Sequence, residues 1–192
     1  MNFNNYVNII KERLSPSRAA HSLRVVKTAL KMADGKKVDK DKVYLAALLH
    51  DYAKDLPPQE LLAVARQNHL LTCQAEEMQP DLLHGPVGAW LCRNDLRVDD
   101  EEVLLAIHYH TTGRVNMSML DIIIYLADLV EPGRKYQGVD KLRSVCASDL
   151  ARGMLCAFDS TIRYVLEREF LIHPLTIEAR NWLLASKLNL GE

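Results

Sequence analysis

Cysteine is scarce and unpatterned. The four in the chain, Cys73, Cys92, Cys146 and Cys156, form no C-x-x-C pair and no zinc-ribbon spacing, so they are expected to be buried, reduced thiols. Long apolar runs are missing too. The longest, residues 43–49, has seven residues, against roughly 20 for a membrane helix. Residues 1–14 lack the apolar core and small-residue cleavage site of a signal peptide, which makes the cytoplasm the expected address, without membrane contact. Neither sign of charge dominates: 24 basic residues face 25 acidic ones, for a formal charge of −1. A sequence-blind nucleic-acid binder needs a basic excess, so a small-molecule partner is expected instead of nucleic acid. There is no G-x-x-x-x-G-K-[ST], G-x-G-x-x-G, G-x-S-x-G or H-E-x-x-H, which excludes the common nucleotide cradles and several hydrolase and metalloprotease signatures.

What is present is an ordinary soluble composition, 48% hydrophobic and 26% charged over 192 residues, without internal repeat, low-complexity stretch or flexible linker. A chain of this length buries roughly 70% of the surface exposed on unfolding and needs no structural metal. One domain over residues 1–192 is therefore expected. Apolar residues recur at spacings of three and four almost throughout, and strict alternation is scarce, so the protein reads as all-α. The pattern predicts nine helices, near 3–14, 17–33, 40–54, 58–68, 86–94, 100–110, 117–130, 148–169 and 175–188. Proline, glycine and Asx punctuation supports them at Ser15-Pro16, Asp34-Gly35, Pro57-Pro58, Pro86 and Glu131-Pro132-Gly133.

Chemistry enters with histidines and aspartates on apolar faces. In the expected helix over 40–54, Ala47, His50, Asp51 and Lys54 follow the i, i+3, i+4, i+7 pattern of one face. An isolated His-Asp pair could equally cap or bond to backbone. Asp128 lies in the apolar run of residues 122–130, where a lone buried carboxylate costs several kcal/mol unless paired or metal-bound; Arg134 or a lysine could serve as a plain ion-pair partner. His110 shares a stripe with Val103, Ala106 and Ile107, while His108, about 200° round the helix from it, reads as a surface or packing residue. His21 falls on a face with Arg24, Val25 and Thr28, and His84 stands before Gly85-Pro86 at a helix entrance.

The order His21, His50-Asp51, His84, His110, Asp128 resembles the HD-domain metal-dependent phosphohydrolases, an all-helical superfamily with one His, an adjacent His-Asp and a distal Asp as core ligands. The two additional histidines look like the second-metal ligands of its dinuclear branch. More closely, the segments around His21-Ser22-Leu23-Arg24-Val25, His50-Asp51-Tyr52-Ala53-Lys54-Asp55, His110-Thr111-Thr112-Gly113, residues 127–134 and the tail Ile172-His173-Pro174-Leu175-Thr176 are similar to the bacterial symmetrical bis(5'-nucleosyl)-tetraphosphatases of HD type. The likeness runs from about residue 5 to 182.

That resemblance implies a single HD-type helical bundle of about nine helices, its core ligands within 17–134 and helices over 148–188 packed on it, possessing a dinuclear metal site. His21, His50, Asp51 and Asp128 would hold one metal, and Asp51, His84 and His110 the other, with Asp51 bridging. Four imidazoles and two carboxylates without thiolate suit iron, manganese or cobalt, and the family points to iron. Two metals some 3.5 to 4 Å apart can share a water, lower its pKa and direct it at phosphorus. Asp51 and Lys54 are the expected catalytic residues, Lys54 neutralising charge on the attacked phosphate unless it is a solvated helix terminus. Arg24, Thr111 and Arg134 are further candidates for substrate binding, the two arginines alternatively forming structural ion pairs. The implied reaction is symmetrical hydrolysis of diadenosine tetraphosphate to two ADP, with a homodimer among the possible assemblies. An HD hydrolase for another nucleotide or guanosine alarmone, an oxygenase and a non-catalytic nucleotide-binding metal protein are the alternatives.

Overall fold

A computed structural model describes residues 3–186. Among them no strand occurs; eleven α-helices and a 3₁₀ turn follow one another. They are α1 (Phe3–Arg13), α2 (Pro16–Ala33), α3 (Lys40–Leu49), α4 (Pro58–Gln67), α5 (Gln74–Met78), the 3₁₀ turn Pro80–Leu83, α6 (His84–Asp95), α7 (Glu101–Tyr109), α8 (Met119–Val130), α9 (Val139–Ser148), α10 (Leu150–Glu167) and α11 (Pro174–Ser186). The all-α expectation holds, with more helices than the nine expected. α5 and α9 are additional, and the helix expected over 148–169 begins after Asp149, whose extended backbone ends α9 and whose carboxylate caps α10 through the Arg152 N–H at 3.0 Å. Residues 187–188 of the last expected helix lie outside the described residues.

A second correction bears on the site. α3 stops at Leu49 instead of running to 54. Beyond it the chain continues in tight i→i−3 turns, Tyr52 N to Leu49 O at 2.9 Å, Lys54 N to Asp51 O at 2.9 Å and Leu56 N to Ala53 O at 3.1 Å. Pro57-Pro58 follows, and neither proline can donate to a continuing helix.

α8 is the central rod. Leu120, Ile122, Ile123, Ile124, Tyr125, Leu126 and Ala127 are all buried, so the helix is apolar around nearly its whole circumference, as an enclosed helix must be. Its start is fixed by Ser118 and Asp121, each bonding to the other's backbone N–H. α2, α3 and α7 pack around α8, α6 packs on α7, and α10 crosses α8 and α9 with α11 against it. One apolar cluster extends from Ile10 to Leu183 through these helices. The cysteines are free thiols, but only Cys92 and Cys146 are buried; Cys73 and Cys156 are half-buried, because the short α5 and the outer side of α10 cover them incompletely.

Candidate metal centre

Helix ends supply three of the four histidines. His50 follows α3, His84 follows the 3₁₀ turn and His110 follows α7, each at the C-cap. The last carbonyls of a helix have no partner within it. Each ring turns back to the carbonyl three residues earlier: His50 Nδ1 to Ala47 O at 2.8 Å, His110 Nδ1 to Ile107 O at 2.7 Å and His84 Nδ1 to Asp81 O. A carbonyl only accepts, so Nδ1 carries the proton and the Nε2 lone pair points inward. His21 sits in the middle of α2, where main-chain carbonyls are already used by the helix. Its Nδ1 finds Glu131 Oε1 instead, at 3.1 Å.

The inward nitrogens converge on Asp51, which is buried just past α3. Its two carboxylate oxygens divide them. Oδ2 lies 3.8 Å from His21 Nε2 and 3.6 Å from His50 Nε2. Oδ1 lies 3.3 Å from His84 Nε2 and 3.7 Å from His110 Nε2. Asp128, from α8, joins the first pair, its Oδ1 2.9 Å from His21 Nε2 and 3.8 Å from His50 Nε2. All six residues that the sequence singled out as ligands therefore meet, in two groups joined through Asp51 and again where His50 and His110 come together with Asp128.

Lone pairs facing carboxylates and one another repel unless a cation stands between them. His84 Nε2 and His110 Nε2 are only 3.0 Å apart, and the buried Nε2 atoms of His21 and His50 have no hydrogen-bond partner. Protons are poor fillers here: burial pushes the His50 imidazole down to about 4 and lowers His84 as well. Burial also opposes ionisation of the carboxyls, but His50, His110 and His84 outweigh it at Asp51, and His21, His50 and Arg134 at Asp128, holding both well below the usual carboxylate range. His21 differs: against its burial, Asp128 and Glu131 raise its pKa. A divalent metal ion fits this donor set of convergent imidazole nitrogens and ionised carboxylates.

The remaining candidates are distributed unequally. Lys54 reaches the rim, Nζ 2.7 Å from Asp81 Oδ2 and 3.2 Å from His84 Nδ1. Both arginines are engaged by carboxylates, Arg24 Nε with Glu131 Oε2 at 2.6 Å and Arg134 with Asp128. The ion-pair alternative describes them. The Thr111 hydroxyl beside His110 is buried without a hydrogen-bond partner. His108 is half-buried, its ring against Tyr109, and takes no part in either group.

Two participants escaped sequence reasoning. Glu131 follows an apolar run and is 1% exposed; its signal was a charged residue directly continuous with buried ones. Arg18, one turn before His21 on α2, brings Nη1 to 3.9 Å from Asp51 Oδ2. Elsewhere Cys73, Glu76 and His173 also cluster. There the tautomer is opposite: the Leu175 N–H donates to His173 Nδ1 at 3.2 Å, so Nε2 keeps its proton and donates to Glu76 Oε1 at 3.2 Å. That is a buried hydrogen bond between neutral imidazole and carboxylate, not a ligand set.

Comparison with known proteins agrees with this arrangement. The family model for the HD domain matches residues 18–133. A Bacillus subtilis protein named bis(5'-nucleosyl)-tetraphosphatase, symmetrical, is 35% identical over 96% of this chain and 99% of its own. One of the same name from Halalkalibacterium halodurans is 38% identical over 96% of this chain and 98% of its own. A crystal structure from Clostridium acetobutylicum, described as a "predicted HD superfamily hydrolase involved in NAD metabolism", superposes with a TM-score of 0.92 at 38% identity, covering 97% and 98% of the two chains.

Proposed function

This chain belongs to the HD domain family, and we propose that it is the metal-dependent hydrolase that splits diadenosine tetraphosphate at its central bridge, one water entering and two ADP leaving. Near full-length relatives with that name support the substrate. The observation that carries the chemistry is Asp51, one oxygen turned to His21 and His50 and the other to His84 and His110. In this reading His21, His50, Asp51 and Asp128 hold one metal and Asp51, His84 and His110 a second, with iron as the resident metal. Such a pair, when bound, supplies an activated water and charge stabilisation for displacement at phosphorus.

The chain's own side chains do the rest. The main-chain carbonyls at 47, 81 and 107 fix three imidazoles in the ligating tautomer, and Glu131 fixes the fourth. Lys54, held at the rim by Asp81, neutralises charge on the attacked phosphate. Arg134 stays on Asp128 and orients it.

Incubating iron-loaded protein with a nucleotide panel under nitrogen tests this. Diadenosine tetraphosphate should give ADP alone, and in oxygen-18 water one of the two ADP molecules should carry the label. ATP and AMP as initial products would overturn the symmetrical assignment, and preferential hydrolysis of a guanosine alarmone would overturn the substrate.

A further inference from the structure

Of the cations around the centre, Arg18 differs in how its guanidinium is used. Arg24 and Arg134 each commit Nε and one terminal nitrogen to a carboxylate or carbonyl. Arg18 commits only Nε, to Asp55 Oδ1 at 2.6 Å. Asp55 is itself anchored by the Ser15 N–H at 2.7 Å, directly before α2. Among the described residues neither Nη1 nor Nη2 of Arg18 donates a hydrogen bond. The side chain is 37% exposed, yet Nη1 stands 3.9 Å from the buried Asp51. A guanidinium with its stem fixed and its fork open beside a buried centre is arranged to receive something.

Charge says what. Metal ions held by His21, His50 and Asp51 would add positive charge next to Arg18 beyond what the Asp51 and Asp128 carboxylates offset, and an anionic ligand would balance the remainder. Lys54 stands at the other half of the centre, Nζ 3.2 Å from His84 Nδ1 and paired with Asp81, whose side chain is 76% exposed. Two cations, each steadied by its own carboxylate, thus stand beside the two halves of one buried centre. Arg presents parallel N–H groups that match two phosphate oxygens, which an ammonium cannot do.

We propose that Arg18 is a substrate-binding residue, its Nη1 and Nη2 gripping a non-bridging phosphate of the polyphosphate chain while Nε remains on Asp55. Asp55 is then a positioning residue that aims the fork. The proposal rests on the hydrolase reading for its substrate, but requires of the ligand only a phosphate chain.

The test therefore uses ADP and inorganic pyrophosphate as calorimetric probes on metal-loaded protein, beside kinetics with diadenosine tetraphosphate. Arg18→Gln should weaken both probes by about tenfold or more and raise KM, while elemental analysis finds the metal content of the parent protein. Arg18→Lys should recover part of the affinity, since charge returns without the fork. Asp55→Asn should weaken ADP less than Arg18→Gln does. Parent-level ADP affinity and KM in Arg18→Gln would overturn the proposal, as would metal loss in proportion to affinity. If the parent protein binds ADP through Arg18 but leaves diadenosine tetraphosphate intact, the hydrolase reading fails and the Arg18 assignment stands.

Discussion

At the scale of single residues, ligation here is a question of which nitrogen holds a proton. The environment of Nδ1 separates the candidate ligands His50 and His110 from His173: an acceptor there frees Nε2, as at His50 and His110, while a donor there, as at His173, keeps Nε2 protonated. Glu131 is the acceptor for His21 and is neutralised by Arg24 and the Gly133 N–H at 2.6 Å. Arg24, Gly133 and His21 together overcome its burial and hold its carboxyl at about 2. Glu131→Gln should loosen the His21 ring without emptying the other positions. Metal affinity at the His21 position should drop about 10- to 100-fold, read as faster loss to a chelator. Retention indistinguishable from the parent protein would return Glu131 to a purely structural role.

At the scale of elements, the two halves of the centre are brought together by how closely α6 approaches the end of α7. A Cβ on Gly85 would lie 2.5 Å from the His108 main-chain oxygen, whereas on Gly88, one turn further along α6, the nearest atom is Ala53 Cβ at 3.7 Å. Two substitutions of the same chemistry should therefore have opposite signs. Gly85→Ala forces α6 off α7, costing about 1–3 kcal/mol, and parts His84 from His110, so metal content should fall with the melting temperature. Gly88→Ala meets only ordinary contact and removes a helix-interior glycine, so thermal unfolding should show no loss and up to about 1 kcal/mol gain.

At the scale of the molecule, the C-terminal helices are tied back to the chain that carries Asp81 and His84. His173, just before α11, donates to Glu76 in α5, and Gln79 Nε2 donates to Leu171 O at 3.3 Å. Glu76 also accepts from Thr72 and Cys73 backbone N–H groups. Although burial opposes its charge, these donors hold its carboxyl below the ordinary glutamate value. A depressed carboxyl stabilises the folded state above its unfolded-state pKa, and that stabilisation is lost as pH falls through the folded-state value. Glu76→Gln should thus be less stable than the parent at neutral pH, by about 1–3 kcal/mol. The gap should narrow on acidification below the ordinary glutamate range, as measured by chemical denaturation across pH. A gap independent of pH would show that shape, not charge, holds the tie.

The helical class follows from the sequence alone, because a spacing of three and four between apolar residues can bury a stripe only on a helix. So does the set of six candidate ligands: polar titratable residues on apolar faces require a compensating partner wherever they are enclosed. Local signals also placed most helix ends, since Ser15-Pro16, Pro57-Pro58 and Glu131-Pro132-Gly133 act on their immediate neighbours. α5 was invisible because its five residues carry no full period, and α9 because its stripe of Val139, Leu142 and Cys146 runs without a loop into the Asp149 that caps the next helix. The end of α3 at Leu49 escaped for a related reason: the i→i−3 turns after it preserve nearly the same side-chain direction, so His50, Asp51 and Lys54 look helical in pattern. Contacts between distant segments were decided only in three dimensions. That one Asp51 oxygen faces His84 and His110, that Arg24 is spent on Glu131, and that Arg18 keeps its fork open beside Asp51 all depend on distances between residues 33 or more positions apart in the chain, and a one-dimensional pattern records no such distances.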